Sequence, residues 1–195
     1  MLVYENTEKG LTAFSLDKDR WDDFTALFGR NGACGGCWCM SWRLKKADFE
    51  AGKGESNKAA MRRLAEQHAP LGVLMYLGAA PIGWCAAAPR ENYLRLKYSR
   101  VFKRIDQEPV WSVSCLFLAK ANRRKGLAVE LIRAAVSFCK LNGATCIEAY
   151  PAVPYSREVP AAFLWTGIPS SFETAGFKET VRRSKWKRMM RYTVE

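Results

Sequence analysis

The sequence predicts a mixed α/β (α+β) protein in which helices flank a central sheet of about seven strands. Three observations carry that prediction. "PVWSVSCLFL" (109–118) is an unbroken apolar run of strand length, the composition of a strand covered on both faces. "LGVLMYLGAAPIGWCAAAP" (71–89) places two apolar runs around a glycine-containing turn, which is a hairpin pattern. "LAVELIRAAVSFCKLNG" (127–143) is apolar almost all round, with Glu130, Arg133, Ser137 and Lys140 as a polar edge, as for a helix laid on a sheet.

The remaining elements follow in order. A first strand is expected within "LVYENTEKGLTAFSL" (2–16). "DKDRWDDFTALFG" (17–29) reads as a helix, because Trp21, Phe24 and Phe28 recur at helical spacing, acidic residues crowd the first turns, and Gly29 stands where a terminating glycine belongs. "GACGGCWCMSWR" (32–43) is a loop, or a loop entering a short helix, and "AGKGES" (51–56) is a flexible break. A second helix, "SNKAAMRRLAEQHA" (56–69), starts at a Ser56 cap and carries Met61, Leu64, Ala65 and His68 on one stripe. The hairpin ends at Pro89, and "RENYLRLKYSRVFKRIDQ" (90–107), polar, aromatic and basic, takes no assigned structure. "ATCIEAY" (144–150) is a short strand, a further helix lies in "FLWTGIPSSFETAG" (163–176), and "FKETVRRS" (177–184) and "WKRMMRYTV" (186–194) are two closing strands.

Composition narrows the function classes. With 195 residues, no internal repeat and no Pro/Ser-rich linker, the chain reads as a single domain spanning 1–195. No apolar run approaches the roughly 20 residues of a membrane helix. The first ten residues lack a basic stretch followed by an apolar one, so a cytoplasmic protein without a membrane partner is expected. Cys85, Cys115 and Cys139 fall inside apolar segments, and an odd total of seven cysteines suits reduced thiols better than a disulfide framework. The net charge of +12 favours polyanions or a phosphate-bearing cofactor. That charge is spread along the chain rather than gathered in a tail, which disfavours nucleic acid.

The most informative junction is the strand at 109–118, the turn "AKANRRKG" and the helix behind it. Arg123, Arg124 and Lys125 precede Gly126, where the backbone can come close to a ligand, and the unpaired amides and dipole of a helix start suit a pyrophosphate. A Walker A loop is excluded by spacing and by the missing terminal Lys-Ser/Thr. A dinucleotide fingerprint is excluded by the absence of Gly-x-Gly-x-x-Gly after the first strand.

Here the sequence resembles the GNAT superfamily of acyl-CoA-dependent N-acyltransferases, whose Gln/Arg-x-x-Gly-x-Gly/Ala signature is matched by Arg123, Gly126 and Ala128. "FETAGF" is similar to the family's Tyr-x-x-x-Gly-Phe, with Phe172, Gly176 and Phe177 in place. The resemblance implies a GNAT-like, mostly antiparallel mixed sheet whose fourth and fifth strands splay apart, so that pantetheine inserts between them. It implies direct transfer of acetyl from acetyl-CoA, with no metal, to a primary amine of a small molecule or peptide, by a monomer or homodimer. Carried over by residue, Leu116, Phe117 and Leu118 would lie along pantetheine, with the Leu116 amide polarising the thioester carbonyl. The backbone from Arg124 through Lys125, Gly126 and Leu127 to Ala128 would cradle the pyrophosphate, with Arg123 and Arg124 adding charge, and Phe172 would touch the cofactor.

Two positions depart from the family pattern. The glutamate base of many members is replaced by Ser112, which leaves a water relay as its role. The thiolate-protonating tyrosine is replaced by Phe172, which makes Tyr150, at the end of the next strand, the nearest substitute acid. A strand-end aromatic packed beside Pro151 is the competing reading of Tyr150, and an exposed carboxylate is the competing reading of Glu148 as base.

Cys34, Cys37 and Cys39 spell C-x-x-C-x-C, but tetrahedral zinc wants four ligands and only His68 offers itself as a partner. Three readings stay open: a zinc or redox device, a small-residue turn packed into the core, and an acceptor wall. In the last, Trp38, Met40 and Trp42 line the acceptor site with Arg43 available to an anionic group, and Tyr93, Tyr155 and Trp165 supply further wall. A CoA-binding module without catalysis is the remaining alternative for the whole chain.

Overall fold

The computed structural model describes residues 1–156 and 158–194. Its elements are β1 (Leu2–Asn6), β2 (Leu11–Ser15), α1 (Trp21–Phe28), α2 (Lys46–Ala51), α3 (Glu55–Glu66), β3 (Gly72–Leu77), β4 (Ala80–Pro89) and α4 (Leu94–Lys97). They continue with β5 (Trp111–Leu118), α5 (Leu127–Leu141), β6 (Cys146–Ala149), α6 (Pro169–Thr174), β7 (Lys178–Ser184) and β8 (Lys187–Thr193). One sheet holds all eight strands in the order β1-β2-β3-β4-β5-β6-β8-β7. Only β5 and β6 run parallel, and every other neighbouring pair is antiparallel.

The sheet has eight strands rather than about seven because the N-terminal segment is two strands, not one. Asn6 caps a tight turn by accepting from the Lys9 amide, and the chain reverses at Gly10 to pair β1 with β2. This hairpin covers the first turn of α5 and changes the status of Glu130. Expected on a polar edge, Glu130 is 2% exposed and receives Lys9 Nζ at 2.6 Å, the Tyr4 hydroxyl, and Arg133 at 3.2 Å. The second helix also starts differently. Gly54 occupies the cap position without a side-chain bond, Ser56 lies inside α3, and His68 is exposed beyond its end.

Apolar residues close both faces of the sheet. On one face α5 and α6 bury Leu131, Ile132, Ala135, Phe138 and Phe172 against β3, β4 and β5. On the other face α1, α3 and the 32–43 loop bury Phe24, Phe28, Trp38, Met61 and Trp84. Each aromatic here hides on the order of 150–250 Å² from water, which makes this second layer a principal source of stability. A smaller cluster of Tyr93, Leu96, Phe102, Tyr150 and Met189 closes the end of the sheet near β6 and β8. No helix among the described residues is long and apolar enough to cross a membrane.

Two irregularities in β5 position the site. Its register against β4 skips between Ala86↔Cys115 and Ala87↔Val113, so Ser114 is an extra, bulged residue. Val113, Leu116 and Leu118 pack on the α5 side, while Cys115 and Phe117 pack on the α1 side. The second irregularity is the partnership with β6, which covers only Trp111, Ser112 and Val113 opposite Ile147, Glu148 and Ala149. Beyond Val113 the two strands part.

Candidate active site

The cleft opened between β5 and β6 continues into a cavity of about 710 Å³. Three walls form it. β5 contributes Cys115, Leu116, Phe117 and Leu118, and the turn into α5 contributes Arg123, Arg124 and Ala128. The 32–43 loop contributes Ala33, Cys34, Gly35, Cys37, Cys39 and Ser41, with Phe28, Phe49 and Lys53 beside it. The segment leading to α6 closes the mouth with Ala161, Ala162, Leu164, Trp165, Gly167, Ile168 and Ser171.

The turn into α5 is built for close approach. Arg124 (φ 61°) and Gly126 (φ 74°) are both left-handed, and a β-carbon placed on Gly126 would meet nothing within 4 Å. Alternating handedness turns successive amides toward one side, and α5 adds the unpaired amides of a 15-residue helix with no side-chain cap. Arg123 is used internally: its Nε donates to the Leu118 carbonyl at 2.8 Å and its guanidinium lies 5.8 Å from the Phe117 ring centre. It thereby braces the end of β5 while still reaching the wall. Lys125 is exposed and Leu127 packs toward the α5-side core, and neither is among the residues of the cavity wall.

Leu116 holds the central position of the cleft. Where β6 departs, its amide would be left without a strand partner, and a buried N–H without one is costly. The Trp165 carbonyl fills that role at 2.7 Å. The Leu116 amide is thus satisfied from outside the sheet, by a carbonyl of the segment that leads to α6.

Other expected residues stand elsewhere. Phe172 is fully buried and packs edge-on against Phe177 with ring centres 5.1 Å apart, so it belongs to the α5-side core rather than to the cavity wall. Tyr150 and Ser112 are also fully buried, and neither reaches the cavity wall. The Tyr150 hydroxyl lies 2.8 Å from Ser112 Oγ, 2.8 Å from Glu148 Oε2 and 2.6 Å from Arg90 Nη1. Burial first, then the Glu148 charge, push its phenol well above the ordinary range. Glu148 is not an exposed strand carboxylate: it is 1% exposed and paired with Arg90 at 2.8 Å and Arg191 at 2.9 Å. These five groups lock the closed end of the β5–β6 split, and removing Glu148 would strand the buried charge of Arg90.

The tryptophans of the 32–43 loop also differ from the expected acceptor wall. Trp38 is 3% exposed and stacks on Phe28 with centres 5.6 Å apart, and Met40 is equally buried. The reason is backbone geometry: Gly32 (φ 57°) lets the loop fold tightly over the indole, which a β-carbon there would strike at 2.5 Å. Trp42 packs beneath Trp165, Tyr150 and Phe102. The indole N–H of Trp42 and the hydroxyls of Tyr93 and Thr166 are buried without a hydrogen-bond partner among the described residues. Arg43 donates to the Pro70 carbonyl at 3.2 Å and lies over the Tyr93 ring. Tyr155 is exposed, while Trp165 does line the cavity. Wall residues that the sequence reading did not place there include Cys34, Cys37, Cys39 and Cys115 as well as Phe28, Phe49, Lys53 and Ser41, brought together by packing across the α1-side layer. Among the described residues no group of three or more His, Cys, Asp and Glu side chains is arranged to hold a metal ion.

The family profile described as "Acetyltransferase (GNAT) family" matches residues 38–161. No curated protein matches the sequence. An uncharacterised protein of Bacillus halodurans superposes with a TM-score of 0.54 at 14% identity, covering 99% of this chain and 89% of that one. A putative acetyltransferase of Salmonella typhimurium, YncA, solved with its cofactor acetyl-CoA, superposes at 0.52 and 13% identity over 95% of each chain. The aminoglycoside acetyltransferase AAC(6′)-Ib, solved with coenzyme A, superposes at 0.51 and 19% identity over 94% of each chain. At such identities the likeness is one of fold.

Proposed function

The chain belongs to the acetyltransferase (GNAT) family, and from that premise we propose that it transfers an acetyl group from acetyl-CoA directly to a primary amine. The observation that carries the reading is the strand–turn–helix wall: a β5 edge released from β6, followed by a left-handed Arg124–Gly126 turn that opens α5 onto the cavity. These residues fit a pyrophosphate-bearing thioester. The space over Gly126 is open, the α5 amides have no capping side chain, and Arg124 stands on the wall. Acetyl-CoA supplies the activated acyl group. The backbone from Arg124 to Ala128 holds its phosphates, Leu116 to Leu118 align the pantetheine arm, and the Leu116 amide stabilises oxyanion charge once the Trp165 carbonyl gives way. We place the activity in a cytoplasmic, single-domain protein spanning 1–195, monomeric or homodimeric, that needs no metal.

The acceptor enters against the 32–43 loop. Among the described residues, the basic and acidic side chains on the cavity wall are Lys53, Arg123 and Arg124, all positive. Together with the +12 net charge, this favours an acceptor with one amine, neutral or anionic elsewhere, over a polycation. A second reading, a CoA-binding module without turnover, is favoured by one observation: Ser112, Tyr150 and Phe172 all lie off the cavity wall.

Two measurements test these readings. Calorimetric titration with acetyl-CoA is expected to give binding in the micromolar range, and no heat at millimolar ligand would sink the acetyltransferase reading. CoA release from acetyl-CoA, followed over a panel of mono-amines, amino acids, peptides and polyamines, separates turnover from binding alone.

A further inference from the structure

The 32–43 loop concentrates backbone strain next to the cavity. Five non-glycine residues among those described have positive φ, and three of them, Ala33 (66°), Trp38 (44°) and Cys39 (59°), lie in this loop. Positive-φ backbone at non-glycine residues costs about 1–3 kcal/mol each and persists only where the surroundings hold it. The result is that Trp38 enters the core while Cys39 turns inward onto the sheet. Trp84 Nε1–H of β4 donates to Cys39 Sγ at 3.0 Å, a close contact for sulfur of the kind a charged acceptor favours. Cys39 and Cys115 both line the cavity, and Cys115 immediately precedes Leu116 on β5.

We propose that Cys39, which stands on the cavity wall with its sulfur accepting the Trp84 indole N–H, takes the proton from the acceptor ammonium. This rests on the acetyltransferase reading and supplies the base that Ser112 cannot be. The groups facing Cys39 agree with the assignment. The Cys115 thiol beside it, Trp84 Nε1–H and the positive charge of Arg43 together hold its thiol below the ordinary range against the opposing effect of burial. Burial keeps the neighbouring Cys37, Cys85 and Tyr93 neutral, and Cys115, by sharing its proton with Cys39, is also kept protonated. No carboxylate of the described residues lies on the cavity wall to compete for the role.

The chemistry balances without a co-reactant. An N–H bond of the ammonium breaks and an S–H bond forms on Cys39. The free amine then attacks the thioester carbonyl to form the C–N bond, the C–S bond breaks, and one of its two protons passes to the departing CoA sulfur while the other stays on the amide. Cys39 returns its proton to water. A base matched in this way contributes on the order of 10²–10⁴-fold to such a step.

The test begins with absorbance near 240 nm, where thiolates absorb, followed against pH on the intact protein. One thiolate step below the ordinary thiol range is expected in the wild type and in Cys34→Ser, absent from Cys39→Ser, and moved to higher pH in Trp84→Phe. A wild-type titration with no such step overturns the proposal even if every variant fails to fold. CoA release with the fastest amine of the panel is then measured against pH. The wild type is expected to reach a plateau near neutrality, whereas Cys39→Ser should fall about 100-fold at pH 7 and recover tenfold per pH unit as free amine accumulates. Matching profiles overturn the base role, as does mass-spectrometric detection of S-acetyl-Cys39 after acetyl-CoA alone, which would make the residue a nucleophile. Acetyl-CoA binding by calorimetry is read in parallel: its loss in the wild type refutes the acetyltransferase reading, while intact binding without the thiolate step refutes only this one.

Discussion

The two long walls of the cavity are made by opposite means. The wall at the start of α5 is backbone: a short turn, Arg124 and Gly126 left-handed, and amides that need no particular side chain. The wall facing it is side chain, built from Cys34, Cys37, Cys39, Ser41 and Phe49 held by contacts far apart in sequence. Cys39 meets Trp84 across 45 residues, and Trp38 is clamped by Phe24 and Phe28 of α1. On the proposed reading the first wall recognises what every ligand of its kind shares, and the second is free to differ between acceptors. Conserving a backbone shape needs one glycine, whereas shaping a side-chain wall needs a whole packed layer.

Trp38→Ala should give the largest effect and breaks the comparison if it fails. Emptying that site in the α1-side core should cost about 3–5 kcal/mol of stability in urea unfolding. Acetyl-CoA affinity of the folded fraction should stay unchanged by calorimetry. Unaltered stability with a raised acceptor KM would return Trp38 to the acceptor wall.

Gly126→Asp probes the backbone wall. The left-handed conformation should cost about 1–2 kcal/mol. The added carboxylate should weaken acetyl-CoA binding on the order of 100-fold by calorimetry, about 2.7 kcal/mol. Equal affinity in wild type and variant would mean that the turn does not hold the phosphates.

The smallest expected effect is alkaline and sharpens the side-chain wall. Burial first, then the neighbouring Cys39 charge, push the Cys37 thiol up to about 12 from an ordinary 9.0. A folded-state value above the unfolded one means that the stability tied to the neutral thiol is complete below pH 9 and is lost as pH rises toward 12. Cys37→Ser should therefore lose less stability than the wild type between about pH 8 and about pH 10.5, by no more than about 1.4 kcal/mol per pH unit. Parallel urea midpoints for the two proteins would show that Cys37 is not buried as a neutral thiol.

Legibility followed the same division. The β5–α5 junction, the 71–89 hairpin, α1 with its Gly29 and the two closing strands are set by local pattern, and the sequence reading located them. The β1–β2 hairpin was missed because Asn6 and Gly10 interrupt an otherwise strand-like run with a turn of three residues. Glu130 and Glu148 were read as solvated because the partners that bury them come from distant segments, Lys9 and Tyr4 in one case and Arg90 and Arg191 in the other. Trp38 and Cys39 are neighbours in sequence yet serve the core and the cavity respectively. That division depends on two consecutive left-handed residues, which no periodicity announces.

The hydrogen bond from the Leu116 amide to the Trp165 carbonyl has a consequence for regulation by metabolite ratio. Because that donor is already satisfied, seating a thioester carbonyl on it exchanges one acceptor for another and adds little to affinity. On the proposed reading the nucleotide end of the ligand carries the binding, so free CoA is held about as firmly as acetyl-CoA. The enzyme is then slowed by its own spent carrier, and its output follows the balance between the two forms rather than the supply of either.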